Sequence, residues 1–391
     1  MSKKIKLGII GIGGMGSGHV RRFMKEGECP EIELVAVADT NPDRLKWCEE
    51  TYEGKIKTFA TAEEMLDSGL IDSCLVATPH YGHPVYAIAC IERGIHVMVE
   101  KPAGVYYKSV REMNEVAKAH PEVVFAVMFN QRTNHVYRKM RELVQSGQYG
   151  EIRRTNWIIT NWYRPQFYYD SGAWRATWAG EGGGVLLNQC PHQLDLWQWI
   201  CGMPKKIEGH IQLGRWHDIE VEDDVTAYAE YENGATGMFI TSTGDACGTN
   251  RFEVQMDRAK LVVEDDKLTV IEFEITEQEF SKNCTEAFGS VPKKEIEVET
   301  DGLNPQHTGV LNAFAARILH GTPLVAEGIE GINGVQISNA IHLSAWLGKP
   351  VDLPFDEDLH YEELKKRIAT SKIKTGPSIV NDTAGSYAGT K

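Results

Sequence analysis

The sequence predicts an α/β protein that begins with a Rossmann-type, doubly wound parallel sheet. An α+β domain with a large, open, mainly antiparallel sheet is expected to follow. Two observations predict this class. The first 128 residues alternate short apolar runs with helix patterns, which is typical of parallel strands covered on both faces. Beyond them strands dominate, and Asn233-Gly234 predicts a β-hairpin turn. We expect domains over residues 1–128 and 129–355, then a C-terminal helix and polar tail over 356–391.

The individual elements follow from apolar periodicity and from helix-capping signals. Capping boxes at Thr61 and Ser109 mark helix starts, and Gly94 ends a helix that begins near His83. In the first domain, strands are predicted over residues 5–10, 32–38, 73–77, 95–99 and 123–128. In the second domain, we expect helices over 134–146, 185–200, 307–320 and 328–347, and strands over 152–160, 225–231, 235–241, 252–256, 260–264 and 268–273.

Composition limits the function classes. The chain has 391 residues, and 41 Lys and Arg against 55 Asp and Glu give a formal net charge of −14. Such a surface repels phosphate backbones and anionic lipid, so we expect no nucleic-acid or membrane partner. Eight cysteines without a C-x-x-C pair are typical of reduced thiols, and no apolar run is long enough to span a bilayer. Glycines interrupt the apolar stretch after Lys6 that imitates a signal peptide, so we expect a cytoplasmic protein.

A glycine-rich turn, Gly11-Ile12-Gly13-Gly14-Met15-Gly16, follows the first predicted strand and opens a helix. In this spacing the first glycine permits a tight turn, the second lets backbone amides approach a pyrophosphate, and the third packs the helix against the strand. Asp39 ends the next strand, where a carboxylate binds ribose hydroxyls and repels a 2′-phosphate. Thr40 follows it, and Arg44 is expected on a helix surface. The segment therefore predicts NAD rather than NADP.

Three further strand ends carry polar residues, and ligands of such sheets bind beyond the carboxyl ends of the strands. These segments are Thr78-Pro79-His80, Glu100-Lys101-Pro102 and Asn130-Gln-Arg132. His80 and His83 form an H-x-x-H pair, but no third ligand has a suitable spacing, so no metal site is predicted.

Lys101 follows an apolar strand directly and precedes a proline, which predicts a side chain that points into the cleft. Beside a positively charged nicotinamide, its pKa is expected to fall. Such an amine suits hydrogen bonding to a substrate alkoxide or proton exchange with it. The alternative is a lysine that only forms a salt bridge with Glu100.

A third cluster contains Glu181, three glycines, Asn188, His192 and Asp195. On a helix, an amide one turn before a histidine and a carboxylate one turn after it would orient that histidine as a general base. Pro191 makes the spacing approximate. The alternative is a packing histidine bonded to Asp195.

Six of the nine tryptophans lie between residues 157 and 199. Aromatic faces suit the C–H faces of a pyranose, and Arg164 and Arg175 can donate to its hydroxyls. Such residues also form cores and oligomer interfaces. The candidates for the substrate wall are Trp162, Tyr163, Trp174 and Arg175.

Taken in this order, the motifs resemble those of the glucose–fructose oxidoreductase, inositol dehydrogenase and MocA family, over the chain to about residue 353. The resemblance implies an NAD(P)-dependent oxidoreductase acting on a sugar or polyol hydroxyl, with Lys101 as the catalytic lysine and His192 as the acid/base. It also implies homo-oligomers formed through the open sheet. Cofactor contacts are expected from the glycine turn, Asp39, Thr40, Thr78, Pro79, His80, His83, Glu100, Lys101 and Asn130. Substrate contacts are expected from the aromatic wall, Arg132, Asn188, His192 and His307.

We therefore expect an NAD-dependent dehydrogenase that oxidises a secondary hydroxyl of a pyranose sugar or glycoside, with C3 of a glucoside favoured. The alternatives are an inositol or polyol dehydrogenase, a redox-assisted glycosidase that recycles bound NAD, and a non-enzymatic NAD sensor. Many members of the family have aspartate where this chain has Asn188. An amide cannot take up a proton, so an Asp–His proton relay is disfavoured.

Overall fold

The computed structural model describes residues 3–372, 374 and 379. The predicted polar tail beyond α12 therefore lies almost entirely outside the described residues. The first part contains β1 (Ile5–Ile10), α1 (Gly14–Met24), β2 (Ile32–Ala38), α2 (Pro42–Thr51), β3 (Lys57–Phe59), α3 (Ala62–Leu66), β4 (Ser73–Val76), α4 (Gly82–Ile91), β5 (His96–Val99), α5 (Tyr107–Ala119) and β6 (Phe125–Val127). The second part contains a 3-10 helix (Asn130–Thr133), α6 (His135–Gln145), β7 (Ile152–Ile159), α7 (Gln166–Asp170), α8 (Pro191–Cys201), β8 (Lys206–Leu213), β9 (Glu222–Glu230), β10 (Thr236–Ser242), β11 (Asn250–Met256), β12 (Ala259–Glu264), β13 (Lys267–Phe273), α9 (Glu277–Asn283), β14 (Lys293–Glu297), α10 (Gln306–His320), a 3-10 helix (Gly328–Glu330), α11 (Gly331–Leu347), β15 (Val351–Asp352) and α12 (Glu357–Thr370).

The first sheet has the strand order β3-β2-β1-β4-β5-β6, and its strands are parallel. The doubly wound fold predicted from the sequence is therefore confirmed. The three-residue strand β3 is additional to the predicted strands, because so short a run carries no periodicity. Val76 of β4 pairs with Ile10 of β1 on one side and with Val99 of β5 on the other. The segments that follow these three strands consequently meet at one edge of the sheet.

The second sheet has the order β14-β13-β12-β11-β7-β10-β9-β8-β15, and its pairs are antiparallel except for β7 with β10. This mixed, mostly antiparallel sheet confirms the predicted α+β part. Helices α6, α8 and α11 pack on one face of it, around the buried side chains of Trp157, Trp197 and Phe239. Helix α10, although late in the chain, packs in the core of the first sheet through Leu311 and Phe314. The domain boundaries drawn from the sequence stay a prediction.

The predicted helix over 185–200 is shorter in the structure. Helix α8 begins at Pro191, and proline is favoured at the first helical position because its missing N–H needs no partner there. Residues 185–190 form turns that precede the helix. Asn188 therefore does not lie one helical turn before His192, and that part of the sequence argument was wrong.

Asp195 has a different role from the predicted one. Its carboxylate accepts hydrogen bonds from Nε and Nη2 of Arg132 at 2.8 and 2.7 Å, and Nη1 of Arg132 reaches Glu330 at 2.7 Å. Arg132 and Asp195 are 3% and 1% exposed. The pair joins the first 3-10 helix to α8. Asp195 therefore neutralises the buried guanidinium of Arg132, which differs from the predicted role of orienting His192.

We predict that Arg132→Ala destabilises the fold by about 3–5 kcal/mol, because it leaves the Asp195 carboxylate buried without its partner. The measurement is the midpoint of urea unfolding. Arg138→Ala is the matched control, since Arg138 pairs with Asp301 at the surface, where solvent screens the interaction. Equal midpoint shifts for the two variants would contradict the structural role of the buried pair.

Candidate active site

A cavity of about 1000 Å³ opens at the carboxyl ends of β1, β4 and β5. Its opposite wall comes from the segment 162–175 and from the turns before α8. The site residues predicted from the sequence that line it are Gly11, Gly13, Gly14, Met15, Asp39, Thr40, Thr78, Pro79, His80, His83, Glu100, Lys101, Trp162, Tyr163, Trp174, Arg175, Asn188 and His192. Residues far apart in sequence are thus brought to one space.

The remaining predicted residues lie outside this lining. The Asn130 side chain donates to Gln306, and the His307 ring packs against the His19 ring with centroids 5.6 Å apart. Arg132 forms the buried ion pair with Asp195. The structure therefore places the substrate candidates Arg132 and His307 behind the cavity wall, where they support it.

The glycine turn is shaped for close approach of a ligand. Gly11 has φ of +88°, and a Cβ there would lie 2.9 Å from the carbonyl oxygen of Ala77. At Gly16 a Cβ would strike the Gly11 carbonyl oxygen, so the third glycine packs helix on strand as predicted. Gly13 instead faces open space, since no atom of the described residues lies within 4 Å of a Cβ built on it. The free amides at the start of α1 can therefore receive a pyrophosphate.

Asp39 is held in position for a ribose. Its Oδ2 accepts the Ile12 amide at 2.8 Å, and its Oδ1 accepts the Asn41 amide at 2.8 Å. Arg44 also lines the cavity, contrary to the expectation of a surface residue, and its Nε donates to the Ile12 carbonyl at 2.9 Å. Arg44 stacks on Trp47 with its guanidinium carbon 4.6 Å from the ring centroid. The glycine turn and these neighbours thus fit a dinucleotide, and the role of Asp39 as the ribose carboxylate stays a prediction.

Lys101 points into the cavity and does not pair with its neighbour Glu100. Its Nζ donates to the backbone carbonyl oxygen of Asn188 at 2.8 Å. Glu100 is instead engaged with His19, since its Oε1 lies 2.6 Å from Nε2 of that ring. Burial lowers the pKa of Lys101 below its usual value, against the opposing pull of Glu100 and Glu181. This geometry favours the cleft lysine over the alternative of a simple salt bridge.

Glu100 carries a buried negative charge beneath the cavity. Burial would raise the pKa of its carboxyl, but the hydrogen bond and charge of His19 outweigh this and lower the pKa to about 2. Glu100 Oε2 also accepts the Lys101 amide at 3.2 Å. The carboxylate therefore fixes the backbone from which the lysine side chain extends.

His192 is 1% exposed and stands in the first turn of α8. Burial and then the charge of Lys101 hold the pKa of His192 well below 6.5. The ring is accordingly neutral near pH 7 and able to accept a proton. Because Lys101 contributes to this shift, the amine and the imidazole share one electrostatic environment.

Asn188 links a buried carboxylate to the cavity. Its amide donates to Glu181, which is 2% exposed, and its Oδ1 accepts the Tyr168 hydroxyl at 3.3 Å. Burial raises the pKa of Glu181, and its Oε2 accepts the Ala176 amide at 2.5 Å. The negative charge of Glu181 thus lies behind a neutral amide.

His80 precedes α4 and His83 stands in its first turn, and both rings contact backbone carbonyl oxygens. His83 places Nδ1 2.6 Å from the Pro102 carbonyl oxygen and Nε2 2.8 Å from that of Thr78, so it ties two strand ends together. His80 contacts the Glu181 carbonyl oxygen at 3.2 Å. Within the described part of the chain, no three His, Cys, Asp or Glu residues are grouped as metal ligands, and no helix there has the length and apolarity to cross a bilayer.

Sequence reasoning missed Tyr168, which organises the substrate side. Arg175 Nη1 donates to its hydroxyl at 2.9 Å, and Gln189 reaches the same oxygen at 3.4 Å. The neighbouring Tyr169 is buried in the core, and no spacing rule separates the two tyrosines. His19 was also missed, although a polar residue on the inner face of α1 was the available signal.

Two family models match the chain. Residues 5–128 match the model described as an oxidoreductase family with an NAD-binding Rossmann fold, and residues 137–262 match the GFO/IDH/MocA C-terminal domain. The chain belongs to the GFO/IDH/MocA oxidoreductase family. Its first domain is accordingly an NAD-binding Rossmann domain, as the glycine turn and Asp39 predicted.

Curated relatives include dehydrogenases of cyclic diols and polyols. The chain is 26% identical over 243 residues to 1-carboxy-3-chloro-3,4-dihydroxycyclohexa-1,5-diene dehydrogenase of Comamonas testosteroni, and this match covers 62% of the chain and 58% of the relative. It is 23% identical over 275 residues to myo-inositol 2-dehydrogenase of Thermotoga maritima, covering 68% and 77%. The chain thus spans little more than half the length of the first of these relatives.

Among solved structures, the WlbA dehydrogenase of Chromobacterium violaceum, crystallised with NADH and UDP-GlcNAcA, has a TM-score of 0.77 and 25% identity, covering 91% of this chain and 98% of that one. A levoglucosan dehydrogenase in complex with NADH and levoglucosan has a TM-score of 0.73 and 19% identity, covering 90% and 100%. The second likeness supports the fold alone.

We predict that Asn188→Asp destabilises the protein by about 1–3 kcal/mol at pH 8. The substitution removes the N–H group that donates to Glu181 and places a second carboxylate against it. The loss shrinks as the pH falls and the two carboxylates share a proton. The measurement is the unfolding midpoint from pH 5 to 8.

The matched control is the charge-swapped double variant Glu181→Gln with Asn188→Asp, which again places one amide against one carboxylate. It is expected to recover most of the lost stability. A double variant that is less stable than either single variant at every pH would contradict the direct contact.

Proposed function

We propose that this protein is an NAD-dependent dehydrogenase that oxidises a secondary hydroxyl of a pyranose sugar or glycoside, with C3 of a glucoside as the favoured position. The observation that carries the proposal is the convergence of Lys101 and His192 on the cavity that also contains the glycine turn. A sensor would need the nucleotide cradle but not a neutral buried imidazole beside a lysine.

In the proposed reaction, bound NAD⁺ supplies the hydride acceptor. His192 removes the hydroxyl proton of the substrate, for which its neutral form is required. The Lys101 ammonium donates a hydrogen bond to the same oxygen and stabilises its developing negative charge. The Asn188 carbonyl holds Nζ of Lys101 in place at 2.8 Å, which reduces the reorganisation that the reaction requires.

Asn188 does not serve as a proton acceptor in this proposal. Its amide is oriented by Glu181 and its oxygen faces Tyr168, so it positions groups around the substrate. The proton taken by His192 consequently leaves without an Asp–His relay. The charge of Glu181 opposes the lowering of the Lys101 pKa by burial and so favours the ammonium form.

The relatives support a cyclic polyhydroxy substrate, since they include an inositol dehydrogenase and a WlbA dehydrogenase crystallised with a sugar nucleotide. Trp162, Tyr163 and Trp174 line the cavity and offer aromatic faces to a ring of C–H groups. The inositol dehydrogenase favours a second candidate, oxidation of an inositol or related polyol. Assembly into a homo-oligomer stays a prediction.

The test mixes the full chain with NAD⁺ and a panel of glucosides, free sugars and inositols, and follows NADH absorbance. We expect turnover of at least one pyranose, and we expect Lys101→Met and His192→Asn each to lower kcat by about 10²–10⁴-fold. Lys118→Met and His210→Asn, which change exposed side chains, serve as controls. Tight NADH binding without oxidation of any member of the panel would contradict the proposal.

The pH profile of kcat/KM supplies an independent check. Activity requires neutral His192 and is lost as the pH falls through its pKa, so we expect the acid limb below pH 6.5. Activity also requires the Lys101 ammonium and is lost as the pH rises through its lowered pKa, so the alkaline limb is expected below pH 10.5. Release of aglycone without accumulation of NADH would instead indicate the NAD-recycling glycosidase.

A further inference from the structure

The sugar end of the cavity is positively charged, although the whole chain has a formal net charge of −14. Lys101, Arg164 and Arg175 line this end. Among the described residues that line it between Trp162 and His192, none is Asp or Glu. A concentration of positive charge in an acidic protein indicates a site that attracts anions.

The two arginines are held at one tyrosine ring. Arg175 has its guanidinium carbon 4.5 Å from the Tyr168 centroid and 4.6 Å from that of Trp174. The guanidinium carbon of Arg164 lies 5.3 Å from the Tyr168 centroid and 5.5 Å from that of Trp162. Stacking on aromatic rings holds a planar guanidinium in a fixed orientation, and such a group recognises carboxylates and phosphates through parallel N–H donors.

Arginines elsewhere in the structure are engaged differently. Arg111 and Arg132 form ion pairs with the carboxylates of Glu357 and Asp195 at 2.8 and 2.7 Å. The hydrogen bond described for Arg175 is instead to a neutral phenol, the Tyr168 hydroxyl. Its side chain therefore lines the cavity beside aromatic rings, while burial raises the pKa of the Glu181 carboxyl and the charge of Arg175 opposes that rise.

Glu181 is a buried carboxylate whose charge interacts with those of Lys101 and Arg175. One oxygen accepts the Ala176 amide and the other accepts the Asn188 amide. It is 2% exposed and does not line the cavity. Its charge partly balances the arginines from behind the wall, while the described lining residues between Trp162 and His192 include no Asp or Glu.

The cofactor does not account for these arginines either. Its pyrophosphate belongs at the free amides that begin α1, beside Gly13 and Gly14, on the wall formed by the parallel sheet. Arg164 and Arg175 come from the opposite wall, among the aromatic residues proposed to contact the sugar. An anion at the arginines would consequently belong to the substrate.

We propose that the substrate is an anionic sugar whose carboxylate or phosphate binds between Arg164 and Arg175, an inference that rests on the proposed sugar dehydrogenase. The sugar ring then lies between this anion subsite and Lys101. Arg164 and Arg175 act as specificity-determining residues, and Tyr168 positions them.

The test compares matched substrates with the NAD⁺-loaded full chain. Methyl β-D-glucuronide is paired with methyl β-D-glucoside for the carboxylate, and glucose 6-phosphate with glucose for the phosphate. We expect kcat/KM to be at least about 10-fold higher for the anionic member of one pair, which identifies the anion. Arg175→Gln and Arg164→Gln should each lower the anionic-to-neutral ratio by about 10- to 100-fold, and Arg175→Lys should lower it less.

Arg215→Gln is the matched control, because Arg215 also stacks on an aromatic ring, Trp216 at 4.9 Å, but does not line the cavity. It should leave the ratio unchanged. Equal kcat/KM within both pairs, or a ratio that Arg175→Gln leaves unchanged, would overturn the anion subsite while the dehydrogenase proposal stands.

Calorimetry separates this inference from the failure of the proposed function. If no sugar is oxidised, the dehydrogenase proposal fails, and titration of the NADH-loaded protein still decides the subsite. Tighter binding of the glucuronide or the sugar phosphate than of its neutral partner, lost in Arg175→Gln, would support the anion subsite. Equal binding within each pair would refute it.

Discussion

The candidate site depends on one hydrogen bond, which Lys101 Nζ donates to the backbone carbonyl oxygen of Asn188. Lys101 follows a strand of the parallel sheet, and Asn188 lies in the turns that lead into α8. The bond therefore ties the nucleotide-binding edge of the first sheet to the segment that presents His192. Burial of this region lowers the pKa values of both the amine and the imidazole, so the contact lies where geometry and protonation are controlled together.

The part of the site on the first sheet could be predicted from the sequence, because parallel strands in a doubly wound sheet bring their carboxyl ends together. Asp39 and Lys101 follow from that rule and from their positions after apolar strands. The opposite wall could not be predicted in the same way. Pro191 begins the helix there, so the relation of Asn188 to His192 follows from turns that have no period. Arg132 illustrates a second limit, since a buried ion pair and a substrate-binding guanidinium look alike in a sequence.

The buried carboxylates near Lys101 and the residues that line the substrate side of the cavity differ in charge. Glu100 and Glu181 are buried carboxylates on two sides of Lys101, each held by its own hydrogen-bond partners. The described cavity lining between Trp162 and His192 is instead neutral or positive. Glu181 lies behind Asn188, where its negative charge compensates the Lys101 ammonium. It therefore does not stand against a bound ligand as a competing anion.

A crystal structure of the protein with NADH and a bound sugar tests the central claim most directly. The account predicts a single carbinol oxygen within hydrogen-bond distance of both Lys101 Nζ and the His192 ring, with its carbon about 3–3.5 Å from C4 of the nicotinamide. A nicotinamide that lies away from Lys101, or a sugar whose hydroxyls contact only one of the two side chains, would contradict it.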